Sequence, residues 1–409
     1  MLFRSPKTPF EAFSADRMLN DSLMGGNSGN LIFLESAYKL MGTRGTEITL
    51  DRFAPDTIGA DVINERFDVY VIPFANAFRN SFAEQLARYT SVIEKLKIPV
   101  VVLSVGYQGK LPYVSGQSRP LDEGVRRFVR AVLDRSGSMG VRGEITQDFV
   151  KKLGFNDIEV IGCPSMFLNG DQLTITKKTP TLERDARIGV NITARVSPMG
   201  PIVTSNMERY PNLEYIAQDK DALRLLLWGY GSKTIKDPSP LPVHLSHPLL
   251  RDDKTKFFVD PWPWLDYMRE TDFVFGTRIH GNITALLAGT PGYVFAHDTR
   301  TLELARYFQI PHREMKDIPL DVDAAELFDE ADYGPTMAGH AARYRTFIDY
   351  VEGHGLKHVF QPGEDPAAFD AKVAAVDFPP PVARRRFPVF HRVVRTGKQG
   401  LRRARETVA

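Results

Sequence analysis

From Leu31 to about Phe308 the sequence alternates short runs rich in β-branched and aromatic residues with longer stretches of helical period. That alternation is what βαβ units require, because parallel strands are joined through crossovers long enough to hold a helix. In the first half, Glu47–Phe53, Asp68–Pro73, Pro99–Val105, Ser138–Val141 and Ile158–Ile161 read as strands. Helices are expected at Asn30–Met41, Phe82–Leu96, Asp122–Asp134 and Ile145–Leu153. Within Phe82–Leu96 the apolar residues Phe82, Leu86, Tyr89, Val92, Ile93 and Leu96 recur at helical spacing, so one face is buried. Asn169–Glu183 then breaks the series, being polar, with Gly170, four threonines and Pro180. A second series starts at Arg187–Thr193 and continues through Leu213–Ala217, Lys256–Val259, Asp272–Gly276 and Gly292–Ala296. Its helices are expected at Lys220–Trp228, Pro261–Arg269, Gly281–Ala288 and Thr301–Phe308.

A chain of 409 residues exceeds one ordinary core, so two domains are expected. The division drawn is residues 1–168, a linker over 169–186, residues 187–345, an extension over 346–381 and a tail over 382–409. The fold class is α/β, with each half a doubly wound, Rossmann-like sheet. Ligands of such sheets bind outside the carboxyl ends of the strands, so the cleft between the halves is the default site.

Charge is uneven. The tail holds eight arginines and one lysine against Glu406 alone, a net +8; with +2 overall, the rest carries −6. A basic tail on an acidic body suggests contact with an anionic surface. Basic amphipathic segments lie on anionic membranes, although a solvated tail has the same composition. The acidic body argues against nucleic acid. The single cysteine, Cys163, forms no internal disulfide and has no metal-type spacing around it, so a reducing compartment is expected. Met1–Phe13 lacks a signal-peptide core and no run of 18 apolar residues occurs, which points to a cytoplasmic chain.

The strongest local signal is Gly276-Thr277-Arg278-Ile279-His280-Gly281-Asn282, placed where an apolar run turns into a helix of small residues closed by Gly289 and Pro291. Free backbone N–H groups and the helix dipole favour an anion there. Arg278 adds a fork of donors suited to carboxylate or phosphate, and His280 titrates near neutrality. The plainer reading is a helix cap and a salt bridge. Gly25-Gly26-Asn27-Ser28-Gly29-Asn30 precedes the first helix; it matches neither a Walker loop nor a dinucleotide fingerprint, and a glycine turn explains it equally. Arg142, in Gly140-Val141-Arg142-Gly143-Glu144, follows a short strand. Thr193 and Arg195 end the first strand of the second half, and Asp298 and Arg300 follow its last expected strand. Asp298 serves either to orient His280 or a sugar hydroxyl, or to cap the next helix.

Taken in order, these pieces resemble the polysaccharide pyruvyltransferase family. The matching residues are the loop Gly26 to Gly29, Val141-Arg142 with Cys163-Pro164, Arg278 to Gly281, Gly289-x-Pro291, Asp298-x-Arg300 and Glu303-Leu304. Asn30 and Gly143 depart from it, since the family often has acidic residues at these places. The resemblance implies two facing Rossmann-like domains similar to the GT-B fold, phosphoenolpyruvate as donor, a sugar diol as acceptor, a pyruvate ketal as product, and no metal or organic cofactor. Donor binding then falls to Arg142, Arg278, Thr277, Gly281 and Asn282, with Thr193, Arg195, Asp298 and Arg300 as further donor or orienting groups. His280, beside Arg278, is the expected general acid. Asn27, Gly29, Asn30 and Asn76 face the acceptor, with Phe74, Phe78 and Tyr107 available to stack on sugars or simply to pack. A lipid-linked saccharide at the membrane would suit the basic tail. Two other readings remain: a glycosyltransferase using a sugar nucleotide, with Asp298 or Glu303 on the ribose, and an inactive saccharide-binding or scaffold protein.

Overall fold

The computed structural model describes residues 1–116, 119–230 and 240–384. Beyond Arg384 the basic tail lies outside the described residues, and so does its expected membrane contact.

Two parallel sheets carry the chain. The first holds β1 (Leu2–Phe3), β2 (Thr49–Leu50), β3 (Tyr70–Pro73) and β4 (Val100–Leu103) in the order β2-β1-β3-β4. β5 (Met139–Val141) and β6 (Ile158–Val160) form a parallel pair, which a bridge between Val105 and Val141 joins to the end of β4. The second sheet holds β7 (Ile188–Asn191), β8 (Leu213–Ala217), β9 (Thr255–Phe257), β10 (Phe273–Gly276), β11 (Gly292–Ala296) and β12 (His312–Glu314). Its order is β12-β11-β10-β7-β8-β9, the doubly wound arrangement with its reversal between β7 and β10. β3, β4, β10 and β11 are buried at every position, as runs covered by helices on both faces must be.

One strand expectation needs correction, and two strands, β12 and β1, are not among those expected. The first sheet begins at Leu2–Phe3, inside a segment with no strand pattern, because two residues are too few to show a period. The strand expected over Glu47–Phe53 shrinks to Thr49–Leu50, since Arg52 and Phe53 both adopt positive φ (49° and 63°) and turn the chain. Between Phe167 and Ile188 there is no helix or strand.

The Gly29–Met41 helix belongs to the first half by sequence but is buried on almost every face, because the second half packs against it. At its centre Lys7 Nζ lies 2.7 Å from Glu35 Oε1 and 2.8 Å from Asp260 Oδ1, all three residues buried. Trp262 Nε1 donates to Glu35 Oε2 at 2.8 Å. One ammonium between two carboxylates ties β1, this helix and the second half together. Burial, opposed by Lys7 and reinforced by Asp260, pushes Glu35 up to about 7. An unfolded glutamate releases its proton near 4.5. The folded chain therefore holds the extra proton between these values, and this group makes stability fall as pH rises through that window. Lys7→Met is expected to cost about 3 kcal/mol, because it strands two buried carboxylates. Urea unfolding at pH 5 and pH 8 checks this, with the larger loss expected at pH 8.

The chain then returns to the first half. The His340–Gly353 helix runs through the division drawn at residue 345. Its Tyr350 hydroxyl donates to Val102 O and accepts from Gly140 N, both at 2.9 Å. Val382 finally pairs with Phe257 on the outer edge of β9.

Candidate active site

Three strand ends and two helix starts meet between the sheets. β10 delivers Arg278 and His280 at the reversal of the second sheet, and β5 delivers Arg142 from the first. The Gly29–Met41 helix starts against the Ile279–Leu287 helix so closely that a Cβ on Gly29 would lie 2.8 Å from His280 Cβ. A Cβ on Gly281 would lie 2.5 Å from Gln218 Nε2 and 3.0 Å from Asn191 Nδ2. Both glycines are needed for this approach.

Arg142 is the unusual residue. It is 0% exposed, and its Nε donates to Ser104 O at 3.3 Å, yet neither Nη has a partner among the described residues. A buried guanidinium with two idle donor groups is costly unless an anion arrives. The titratable groups around it include Cys163, Glu303, Arg300 and Asp298. Glu303 faces elsewhere: it accepts from Thr146 N at 3.0 Å and Thr146 Oγ1 at 2.8 Å, tying the two halves together. Burial pushes its carboxyl up to about 7, against the pull of Arg142.

His280 sits at the other wall, 7% exposed, with Nε2 3.8 Å from Cys163 Sγ and its ring 6.2 Å from that of Phe33. Burial first, then Arg142 and Arg300, hold the imidazole well below its ordinary range, so it is neutral in the free protein. Arg142 also lies 6.0 Å from the Phe33 ring, so Phe33 marks the floor shared by both groups.

The other expected residues divide. Arg278 turns away from His280 and pairs with Asp219, in a cavity of about 250 Å³ also lined by Gly26, Thr193, Arg195 and Tyr215. Its backbone N–H donates to Asn191 Oδ1 at 2.6 Å. Thr277 is fully buried and its hydroxyl accepts from Thr193 N at 2.7 Å; Asn282 donates to the carbonyls of Gly276 and Arg278, at 3.3 and 3.2 Å. Both brace the turn. Asp298 does not orient His280. It caps the Thr299–Tyr307 helix in a capping box with Thr301 and binds Arg300 at 3.2 Å. Asn76 is tied to Gln108, which donates to Asp298 at 3.2 Å. Asn30 donates to Met24 O at 3.0 Å, and Asn27 bridges Asp219 through the backbone. Phe78 is core; Phe74 lines a cavity, and Tyr107 stacks on Phe149 while lining the open cleft.

Two groups carry no motif. Gln218 is buried between the two helix starts with both amide atoms unpartnered. Arg79, after β3, has a buried Nε without a partner. Gln218 has no local signal in the sequence, and Arg79 resembles any loop arginine.

The family description "Polysaccharide pyruvyl transferase" matches residues 27–299, a span that holds Arg142, Cys163, Arg278, His280 and Asp298. The chain belongs to that family. It is therefore a transferase of polysaccharide biosynthesis, and the family implies a saccharide acceptor. No curated protein matches it. Among solved structures, a UDP-GlcNAc 2-epimerase from Neisseria meningitidis aligns with a TM-score of 0.45 at 11% identity, covering 86% of this chain and 99% of that one. The Methanocaldococcus jannaschii UDP-GlcNAc 2-epimerase gives 0.42 at 13%, covering 74% and 80%. An Anabaena protein solved with UDP and glucose gives 0.41 at 12%, covering 91% and 97%. At such identities none of the three bears on the chemistry of this pyruvyl transferase. Among the described residues no helix is long and apolar enough to cross a membrane.

Proposed function

We propose that this transferase moves the pyruvyl group of phosphoenolpyruvate onto two hydroxyls of a saccharide, with its two halves acting as the donor and acceptor sides of a GT-B-like cleft. The observation that carries the donor is Arg142, buried and with both Nη groups idle, beside Arg300 and His280. A small ligand with a phosphate and a carboxylate supplies the charge that this wall lacks. Arg142 and Arg300 hold the donor. Arg278 reaches it by leaving Asp219, and otherwise stays on the Ile192 carbonyl, to which its Nε donates.

His280 is the proposed general acid. Once the donor's negative charge offsets the two arginines, the imidazole takes a proton and delivers it to the donor's methylene carbon. The resulting cationic carbon is attacked by one sugar hydroxyl, which loses its proton. Phosphate departs with its bonding electrons, and the second hydroxyl closes the ketal with loss of another proton. Of the two protons released by the diol, one replaces the proton spent at carbon and the other leaves on the phosphate, so the step balances without a cofactor.

The sugar-nucleotide reading is weaker. It places a ribose on Asp298 or Glu303, and both carboxylates are engaged within the fold. A thermal-shift titration separates the two. Phosphoenolpyruvate at 100 times its dissociation constant is expected to stabilise the chain by about 2.7 kcal/mol. No response to it, with a clear response to a UDP-sugar, overturns the donor assignment. The acceptor is proposed to be polymeric or lipid-linked, presented at an anionic membrane that the basic tail touches; retention of the full chain, and loss of a chain ending at residue 384, on anionic vesicles is the expected result.

A further inference from the structure

The first sheet has its own reversal. β2 lies on one side of β1 and β3 on the other, which makes the carboxyl ends of β1 and β3 a switch point, the usual ligand crevice of such a sheet. A cavity of about 280 Å³ opens there, lined by Arg4 after β1, Phe53 after β2 and Phe74 to Ala77 after β3, with Arg79, Phe82 and Asn30. Among the described residues no acidic side chain lines it.

The arginines of this cavity are held in place. The Arg4 guanidinium carbon lies 4.3 Å from the Phe53 ring centroid and 4.6 Å from that of Phe74. Its Nη1 donates to Pro73 O at 3.0 Å, and its Nε is buried without a partner. Asp51 acts on Arg4 from behind the wall, held by the hydroxyls of Tyr70 and Tyr89 at 2.6 and 2.9 Å. Arg88 is already bound to Asp56 at 2.7 Å. Arg79 is different: the charges acting on it are Arg300, Arg142 and Arg4, all of its own sign. Burial and those neighbours bring it down to about 10. The cavity thus combines aromatic faces, amide groups and one uncompensated cation, in a volume near the lower end of ligand pockets, about 300–1,000 Å³.

We propose that the acceptor saccharide carries an acidic group, and that this group is bound in the switch-point cavity of the first sheet between Arg4 and Arg79. The proposal rests on the reading of the first half as the acceptor side. Its chemistry is that of a carboxylate or phosphate on a sugar ring: a uronic acid residue, or a sugar 1-phosphate as found at the reducing end of a lipid-linked precursor. Guanidinium groups pair with either, and the aromatic walls take the ring.

Calorimetric titration of the full chain, without donor, tests it with methyl glycosides of the gluco, galacto and manno series, their uronides, and the matching sugar 1-phosphates. In at least one series an acidic form is expected to bind about tenfold or more tightly than its neutral parent. Preference for the uronide assigns the carboxylate, and preference for the 1-phosphate assigns the carrier end. Arg4→Met is expected to abolish the preference, and Arg4→Lys to keep part of it, with phosphoenolpyruvate affinity unchanged in both. Equal or tighter binding of the neutral sugars, or no binding of any acidic sugar, overturns the proposal. So does an Arg4→Met chain that loses phosphoenolpyruvate affinity but keeps its sugar preference, for the cation then serves the donor. Failure of phosphoenolpyruvate to bind the unaltered chain overturns the donor reading instead, and the sugar titrations stand independently of it.

Discussion

Arg142→Met is expected to weaken phosphoenolpyruvate binding about a thousandfold while leaving the unliganded protein as stable as before, or more so. The first half of that result follows from burial. A charge pair formed out of water loses about 2–5 kcal/mol when one partner is truncated, and Arg142 offers two donor groups that no other described residue uses. The second half follows from the same fact. In the free protein the guanidinium is desolvated and only one of its nitrogens is bonded, so an apolar side chain of similar length gives up one hydrogen bond and removes the larger cost of the buried charge. A residue needed only for packing would show the opposite pattern. Calorimetry with phosphoenolpyruvate, paired with urea unfolding of the apo proteins, reads both. Arg278→Met gives the comparison. Its charge is already matched by Asp219, so its loss of donor affinity is expected to be at least about tenfold smaller. Equal losses would give both arginines the same weight in donor binding.

That ranking reverses what the sequence suggests, and the reason is physical. The Arg278–His280 turn is legible because a strand, a turn and a helix start are local patterns, and both residues lie between a strand's end and a helix as expected; that this strand stands at the sheet reversal emerges only from the strand order. Which way each side chain faces is not local. Asp219, which takes Arg278, comes from the end of another strand, and Arg300, which acts on His280, comes from the helix beyond β11. The same limit hid Arg4, Arg79 and Gln218. Each is ordinary in its own segment; Arg4 and Arg79 meet only because β1 pairs with β3, and Gln218 meets the helix starts only because the second sheet packs against the first half. Gly292–Ala296 and Leu213–Ala217 match the expected strands end to end; the first is buried at every position and so reads as an unbroken apolar run, and the second is broken only at the half-buried Glu214. β1 escaped notice because two residues cannot display a period, although its place next to β3 positions Arg4.

His280→Asn is expected to lower turnover by about 100- to 10,000-fold, the usual contribution of a positioned proton donor, while donor affinity changes only a few-fold. Asparagine keeps a polar group near the ring position but cannot carry the proton. The proton itself gives a second readout. In the free protein His280 is neutral at pH 7, because burial, Arg142 and Arg300 all disfavour the imidazolium. A bound phosphate and carboxylate oppose those arginines, so binding raises the pKa of the group and draws a proton from solvent. At pH 8 a phosphate monoester, whose second pKa is about 6, is already fully ionised, and any uptake then belongs to the protein. The binding enthalpy of the unaltered chain should therefore vary with the ionisation enthalpy of the buffer at pH 8, and that of His280→Asn should not. An unaltered chain that binds the donor with no proton uptake, or an asparagine variant with full turnover, would show that the carbon is protonated by another group. The nearest titratable neighbour for that role is Cys163, whose thiol burial pushes above its ordinary range and whose sulfur lies 3.8 Å from Nε2. Cys163→Ser would then lose the activity that His280→Asn retains.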